Sequence, residues 1–338
     1  MNYILRDENA IYYECGYSCD HALYLQMGSE GFLITDARYT QEAKEQSNGC
    51  EVVESTNLIK STRKIIKDSK IKEILYDSND FTVALFRDLT KKLNVSFIEE
   101  KDYSAKKRMI KSDDEIGLIS KAVNMGQSAF DDFSLFIIND GIGKTEEYLQ
   151  YEAKRILSRH GELNLSFDPI VAIGSNASKP HALPTKKRLS IGELLLFDAG
   201  VKYKRYCSDR TRTVTVNKSF NFDNTQKFSS NIQNAYDAVK RAHDKAIKDV
   251  RSGMSAKEVD SLTRDEIEKA GFGNYFVHST GHGVGLDIHE HPYISKKSET
   301  IIEDNMVFTI EPGIYVPGEF GIRIEDMVVM RDSKAEIL

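Results

Sequence analysis

The segment HSTGHGVGLDIHEHP, residues 278–292, constrains the fold more than any other stretch. It holds four of the chain's eight histidines, set among glycines. Glycine costs about 1 kcal/mol relative to alanine inside a helix, so the segment predicts loop and strand. An extended segment cannot pair its imidazoles as a helical HExxH motif does. Because clustered imidazoles indicate a metal or catalytic site, the chain must bring partner residues to them from other segments.

Length and composition narrow the class of protein. The chain has 338 residues, of which 40% are hydrophobic and 29% charged, and its net charge is −6. These values are typical of a soluble protein of two domains. The absence of a basic block argues against a nucleic-acid partner, and no apolar run approaches the roughly 18 residues of a membrane span. The first residues do not resemble a signal peptide, so we predict a cytoplasmic protein with free cysteines at 15, 19, 50 and 207.

Strand-like and helix-like segments alternate through the first hundred residues. GFLITDAR (31–38) and IKEILYDS (71–78) are typical of buried strands, and each precedes a segment with helical character. This alternation predicts an α/β unit. Ser112 and Glu115 form a capping-box pattern that starts a helix, which places a domain boundary near Lys111. We therefore predict an α+β protein, with a smaller α/β domain over 1–111 and a larger domain over 112–338.

Two candidate hairpins in the larger domain carry carboxylates. In LLLFDAGVKYKRYCSDRTRTVTV, a turn about Tyr203 and Lys204 would place Asp198 opposite Asp209. In FTIEPGIYVPGEFGIRIEDMVVM, a turn at Gly318 would do the same for the glutamates at 311 and 325. Opposed like charges destabilise a strand pair, so something positive should compensate them. The alternative is that these are surface strands with solvated carboxylates, and a bulge would shift either register.

Four carboxylates and one imidazole suit a two-metal site. Two divalent cations carry the charge that four carboxylates neutralise, and a neutral imidazole adds a ligand without charge. A shell of oxygens with one nitrogen favours manganese, cobalt, iron or zinc in a catalytic site, and disfavours a structural zinc site built from cysteines.

At this point the residues resemble a known family, the pita-bread metallopeptidases, which include methionine aminopeptidase, aminopeptidase P, prolidase and creatinase. The motifs STGHGVGLDIHE, IEPGIY and GIRIED carry the resemblance, together with Asp198 directly after LLLF and Asp209, with ten residues between the two aspartates. LITDARYTQEA and IKSDDEIGLISKAV resemble the creatinase-type N-terminal domain and linker helix of aminopeptidase P and prolidase. The resemblance implies a creatinase-like domain followed in sequence by a pita-bread catalytic domain. It also implies the activity of an Xaa-Pro aminopeptidase or dipeptidase, with peptides as substrates.

The resemblance also implies a role for each matched ligand. Asp209 and Glu325 would bridge two divalent ions, with manganese expected first and cobalt, zinc or iron as alternatives. Asp198 would complete the ion that receives the substrate's amine, and His282 and Glu311 would complete the other. A metal-bridging hydroxide would be the nucleophile, with Glu311 as its general base.

Further residues match substrate-side positions of the family. His181 in SKPHALPT would lie beside the substrate, and His278 and His289 would stabilise the tetrahedral intermediate or bind the residue after the scissile bond. Arg323 and Tyr315 would orient ligands. For each of these the alternative is a structural polar residue. We expect no role for the histidines at 21, 160 and 243, and leave His291 open.

Other functions stay open. A methionine or broader-specificity aminopeptidase has the same fold, although methionine aminopeptidases generally lack the N-terminal domain. A non-catalytic peptide-binding module would typically have lost ligands, yet all five are present here, and this also disfavours creatinase-like hydrolysis without metal. The family further implies a homodimer. The segment after His181 lacks an early glycine, and the chain has no tryptophan, so aromatic contact with a proline would need Tyr or Phe.

Overall fold

The computed structural model describes residues 1–219, 221–223 and 227–338. Two compact units make up the chain, Met1–Arg108 and Met109–Leu338. The domain boundary between residues 111 and 112 stays a prediction. Within the described residues, no helix combines the length and the apolar character that crossing a membrane requires.

The first unit is one six-stranded sheet with helices between its strands. The strand order is β4-β3-β2-β1-β5-β6, parallel at β3–β4, β1–β5 and β5–β6 and antiparallel elsewhere. The predicted alternation of strands and helices is confirmed in this unit. The fully buried side chains of Ile4, Leu25 and Ile34 pack in one core with the apolar faces of the helices. The elements are β1 Asn2–Leu5, α1 Glu8–Cys15, β2 Ala22–Met27, β3 Glu30–Thr35, α2 Thr40–Gln46, β4 Glu51–Glu54, α3 Leu58–Asp68, β5 Glu73–Tyr76, α4 Val83–Thr90, β6 Ser96–Glu99 and α5 Tyr103–Lys107.

Longer helices surround the sheets of the second unit. The first begins at the predicted capping box, in which the Ser112 side chain accepts from Glu115 N and the Glu115 side chain accepts from Ser112 N. These helices are α6 Asp113–Phe136, α7 Glu146–Leu157, α8 Ser230–Asp249 and α9 Ala256–Lys269.

The strands of the second unit form several small antiparallel sheets. The two that matter for the site have the orders β12-β9-β8 and β14-β13-β15-β18-β19. The strands are β7 Asn164–Leu165, β8 Ile170–Ile173, β9 Leu194–Ala199, β10 Val201–Tyr203, β11 Tyr206–Cys207, β12 Arg210–Thr215, β13 Gly281–Gly283, β14 Glu290–Ile294, β15 Val307–Ile310, β16 Gly313–Val316, β17 Phe320–Arg323, β18 Asp326–Arg331 and β19 Lys334–Ile337.

The register predicted for the first hairpin is wrong. Asp198 pairs with Thr211, not with Asp209. The turn lies at Lys204 and Arg205, both with positive φ, one residue later than predicted. This moves the pairing by two residues. Because side chains alternate with a period of two, the shift leaves both aspartates on the same face.

The register predicted for the second hairpin is confirmed on both sides of the glutamates. Ile310 pairs with Asp326 in β15–β18, and Gly313 pairs with Arg323 in β16–β17. Glu311 and Glu325 lie between these two ladders, in the same register. An isolated bridge between Glu325 and Thr211 of β12 brings the two hairpins together.

Candidate metal centre

One cavity of about 500 Å³ in the second unit gathers nearly all of the predicted site residues. Tyr315 alone among them is absent from the lining, and lies behind it in contact with His278 and Arg323. The predicted residues that line the cavity are His181, Asp198, Asp209, His278, His282, His289, Glu311, Arg323 and Glu325. The five predicted metal ligands among them, Asp198, Asp209, His282, Glu311 and Glu325, are called the carboxylate–histidine cluster below.

The cluster is compact, and all of its residues except the partly exposed Glu311 are buried. One ligand atom each from Asp209, His282 and Glu325 lies within 4.8 Å of the other two. His282 Nε2 is 3.6 Å from Asp209 Oδ2 and 3.4 Å from Glu311 Oε1. Asp198 lies in β9, Asp209 directly before β12, and His282 in β13. The two glutamates lie between the β15–β18 and β16–β17 ladders, so backbone pairing on or beside these residues fixes their positions.

The hydrogen bond of His282 sets its tautomer. Its Nδ1 lies 3.1 Å from the carbonyl oxygen of Gly283. Because a carbonyl only accepts, Nδ1 carries the proton and the Nε2 lone pair faces the carboxylates. Burial, with a smaller effect of His289, lowers the pKa of His282 to about 3. Neutral imidazole and carboxylates thus present lone pairs to each other, which is how ligands surround a cation.

The carboxylates of the cluster repel one another electrostatically. Burial first, and then the charges of the neighbouring carboxylates, raise the pKa of Asp209 and of Glu325 well above their usual range. Burial raises the pKa of Glu311 to about 8. Among the described residues, Asp198 Oδ1 is buried without a hydrogen-bond partner. Divalent cations fit this donor set, because they would supply both the missing charge and the missing partner.

The buried guanidinium of Arg323 offsets part of this charge. Its Nη2 donates to Asp198 Oδ2 at 2.5 Å, its Nη1 to Tyr315 Oη at 2.7 Å, and its Nε to Thr211 Oγ1 at 2.9 Å. The positive group expected beside the first hairpin is therefore found, and it comes from the second hairpin.

His278 has both ring nitrogens engaged. Nδ1 lies 2.7 Å from the carbonyl of Ser279, so it carries the proton, and Nε2 accepts from Tyr315 Oη at 2.9 Å. Burial, and then the charge of Arg323, lower the pKa of His278 to about 4. A continuous path of hydrogen bonds therefore runs from Arg323 through Tyr315 to His278.

His181 and His289 are exposed at the cavity wall. The His289 ring packs edge-on against that of His282, with centroids 4.2 Å apart, and this partial burial of the ring lowers the pKa of His289. His291 does not line this cavity and contacts the Tyr293 ring. Of the histidines expected to have no role, His21 and His160 are exposed and outside the lining.

His243 is different from the other two, because it is buried beside the cluster. Its Nε2 lies 3.1 Å from Asp326 Oδ2, and Asp326 directly follows Glu325. Arg212 also contacts Asp326, and its Nη1 donates to the carbonyl oxygen of Glu325 at 2.6 Å. The sequence analysis missed this support, and a single histidine within a long helix gives no signal for it.

Two threonines that the sequence analysis missed hold the glutamates. Thr211 Oγ1 donates to Glu325 Oε2 at 2.6 Å, and Thr309 Oγ1 donates to Glu311 Oε1 at 3.2 Å. Thr211 lies two residues after Asp209, and Thr309 two before Glu311. Strand periodicity places each threonine on the face of its neighbouring ligand, so this signal was available.

Helix α9 anchors the loop that carries His278. Asp260, almost fully buried, accepts from Thr280 N and Thr280 Oγ1. Arg264 pairs with Asp260 and donates to the carbonyls of Phe276 and His278. On the sequence these look like an ordinary exposed i, i+4 ion pair, so the anchor could not be predicted.

Comparison with known proteins identifies the family. Residues 117–332 match Metallopeptidase family M24, and residues 2–110 match the Creatinase/Prolidase N-terminal domain. An uncharacterized peptidase of Bacillus subtilis is 34% identical over 332 residues, which cover 98% of this chain and 91% of that protein.

Solved structures agree with this match over nearly the whole chain. An Xaa-Pro dipeptidase from Bacillus anthracis has a TM-score of 0.91 at 31% identity, covering 99% of this chain and 92% of its own. An X-Pro aminopeptidase from Thermotoga maritima has a TM-score of 0.88 at 32% identity, with coverages of 99% and 94%. The whole carboxylate–histidine cluster falls within residues 117–332. The chain therefore belongs to metallopeptidase family M24, as a metal-dependent peptidase whose pita-bread domain follows a creatinase-like N-terminal domain.

Proposed function

We propose that this protein is a two-metal exopeptidase that removes the N-terminal residue from peptides with proline in the second position. The observation that carries the proposal is the convergence of four carboxylates and the Nε2 lone pair of His282 in one buried cavity. The similarity to an Xaa-Pro dipeptidase and an X-Pro aminopeptidase supports the choice of proline substrates.

The five residues of the cluster would hold two divalent ions, with Asp209 and Glu325 shared between them. When bound, such ions supply a nucleophile at neutral pH and polarise the carbonyl group under attack. We propose manganese first, with cobalt, zinc or iron as alternatives, because oxygen ligands dominate the set.

Glu311 is the proposed general base. Its carboxylate lines the cavity, and Thr309 holds one oxygen in place. It would take the proton of the attacking water and pass it to the leaving nitrogen, a role that suits a carboxylate beside the nucleophile. The same residue would thus act first as a base and then as an acid.

The histidines at the cavity wall are the proposed substrate contacts. His181 and His289 are exposed there and can donate to or accept from a peptide. His278 has both nitrogens engaged, so Arg323 and Tyr315 would hold its ring in one orientation beside the substrate. Arg323 also fixes Asp198, and it would therefore couple substrate orientation to a metal ligand.

Two broader expectations remain proposals. We propose a homodimer by similarity to the family. We also propose a cytoplasmic location, which the four free cysteines support because reduced thiols are usual in that compartment.

The test is peptide hydrolysis by chelated protein reloaded with manganese, cobalt or zinc. Ala-Pro, Ala-Pro-Ala and Met-Ala-Ala would be compared at matched concentration, with metal content measured in each sample. We expect metal-dependent release of alanine from the proline peptides only. Cleavage of Met-Ala-Ala instead would indicate a methionine or broader aminopeptidase, and stoichiometric metal without turnover would indicate a binding module.

A further inference from the structure

A loop over the cavity is held at both of its ends by one buried side chain. The loop, residues 174–185, follows β8 and is called the rim segment. It contributes His181, Leu183 and Pro184 to the cavity wall. Just before it, Ile173 N donates to Glu146 Oε1 at 2.6 Å, and at its end Thr185 N donates to Glu146 Oε2 at 2.7 Å.

Glu146 is fully buried at the start of α7 and accepts four hydrogen bonds. Besides the two backbone amides, Thr185 Oγ1 donates at 2.6 Å and Asn176 Nδ2 at 2.9 Å. All four donors lie within residues 173–185, and among the described residues no lysine or arginine forms an ion pair with Glu146. A buried carboxylate needs such donors, and here every one of them belongs to the rim segment or its flank.

The two halves of the rim segment are attached differently. The first half packs against β17 so closely that a Cβ on Gly321 would lie 1.7 Å from the Ala177 carbonyl oxygen. In the second half, Asn176 donates to the carbonyl of Leu183, and Arg323 donates to that of Pro180. The half that carries His181 is therefore held by the side chains of Glu146, Asn176 and Arg323, and at its end by one backbone hydrogen bond, from Glu147 N to the Thr185 carbonyl oxygen.

We propose that Glu146 is a positioning residue for the substrate, which fixes the rim segment so that His181 and Leu183 face the bound peptide. This rests on the proposed function, because it assumes that a peptide occupies the cavity. Glu146 lies in helix α7, and its four hydrogen bonds include none of the five proposed metal ligands. Its loss should therefore weaken substrate binding while metal binding and the chemical step persist.

The test is Glu146→Gln in the full chain loaded with manganese. Glutamine keeps the size of the side chain, but its NH2 group cannot accept a hydrogen bond. Some of the four donors to Glu146 would therefore lose their acceptor, and the rim segment should loosen. We expect KM for Ala-Pro-Ala to rise about tenfold or more and kcat to change less than about threefold, with unchanged metal content. Hydrogen exchange at the Thr185 amide should accelerate. Glu147→Gln, at the exposed neighbouring position, should leave all of these values unchanged.

A milder pair of variants covers the case in which Glu146→Gln does not fold. Thr185→Val removes one donor and should raise KM in the same direction, whereas Thr185→Ser keeps the hydroxyl and should match the wild type. The proposal is overturned if KM and exchange stay at wild-type values in folded Glu146→Gln, or if both Thr185 variants have equal KM. Wild-type turnover of Ala-Pro-Ala is measured first, so that failure of the proposed function shows there, before any variant is compared.

Discussion

The two carboxylate hairpins of the site are built differently. In the second, the ladders on either side place Glu311 and Glu325 opposite each other. In the first, Asp198 faces Thr211, and Asp209 lies beyond the end of that ladder. All four side chains nevertheless reach one cavity. Being on the same face of adjacent strands is therefore sufficient, and direct opposition is not required.

The two hairpins also differ in what compensates their charge. Asp198 of the first has an ion pair with Arg323, a residue of the second. Glu311 and Glu325 accept hydrogen bonds from threonines, which carry no charge. Removal of the Asp198 carboxylate should therefore lower stability, because it leaves a cation unpaired. Removal of a cluster carboxylate without such an ion pair should raise stability, because it relieves repulsion.

The largest expected effect comes from comparing Asp209→Asn with Asp198→Asn. Both variants lose a proposed metal ligand, so turnover should fall by about 10³-fold or more. In metal-free protein at pH 8, the free energies of unfolding of the two variants should change in opposite directions. Asp209→Asn should raise the free energy of unfolding, because it removes one of several buried like charges. Asp198→Asn should lower it by roughly 3 kcal/mol, because it leaves the Arg323 guanidinium without its carboxylate.

The measurements are metal content, turnover and denaturant unfolding after chelation. Glu319→Gln is the matched control, since Glu319 is exposed in the turn of the second hairpin and should change none of the three. Destabilisation of equal size in both aspartate variants would show that the ion pair with Arg323 does not distinguish Asp198 from Asp209.

The period of two along the strands was sufficient to predict which carboxylates share a face. The position of the first turn and the buried residues that anchor the loops could not be predicted, because they depend on backbone conformation and on burial in the folded chain. The faces of Asp198, Asp209, Glu311 and Glu325 follow from a period of two, and those of the aspartates survived the error in register because the shift was of two residues. The first turn was misplaced because Lys204 and Arg205 adopt positive φ without the glycine or asparagine that normally signals it.

The anchors of the loops could not be found in the same way. On the sequence, Glu146 looks like a solvated charge in the first turn of a helix, and Asp260 looks like one partner of an exposed ion pair; only the folded chain shows that both are buried. Tertiary contacts, rather than local pattern, give these residues their roles.

The stability of metal-free protein should depend on pH through the second hairpin. The folded-state pKa of Glu311, about 8, lies above its ordinary value of 4.5. Its stabilising contribution is therefore complete below about pH 4.5 and is lost as the pH rises through 8. We expect the free energy of unfolding to fall by on the order of a few kcal/mol across this window. Glu311→Gln should flatten the slope.

Added manganese should reverse this dependence, because metal ions compete with protons for the same carboxylates. Urea unfolding at intervals between pH 5 and 8, with chelator or with manganese, measures both slopes. A metal-free protein whose stability rises across this range would contradict the expected repulsion within the cluster.

The smallest expected effect comes from Tyr315→Phe, which removes the hydroxyl between Arg323 and His278. The pairing of Arg323 with Asp198 does not involve this hydroxyl, so metal content and stability should stay near wild type. His278 loses the donor to its Nε2, and its ring should turn more freely beside the substrate. We expect kcat/KM for Ala-Pro-Ala to fall about 10- to 100-fold, against no change in Tyr151→Phe, an exposed tyrosine. If metal is lost together with activity, Tyr315 acts through Asp198, and the two hairpins are coupled more tightly than their hydrogen bonds indicate.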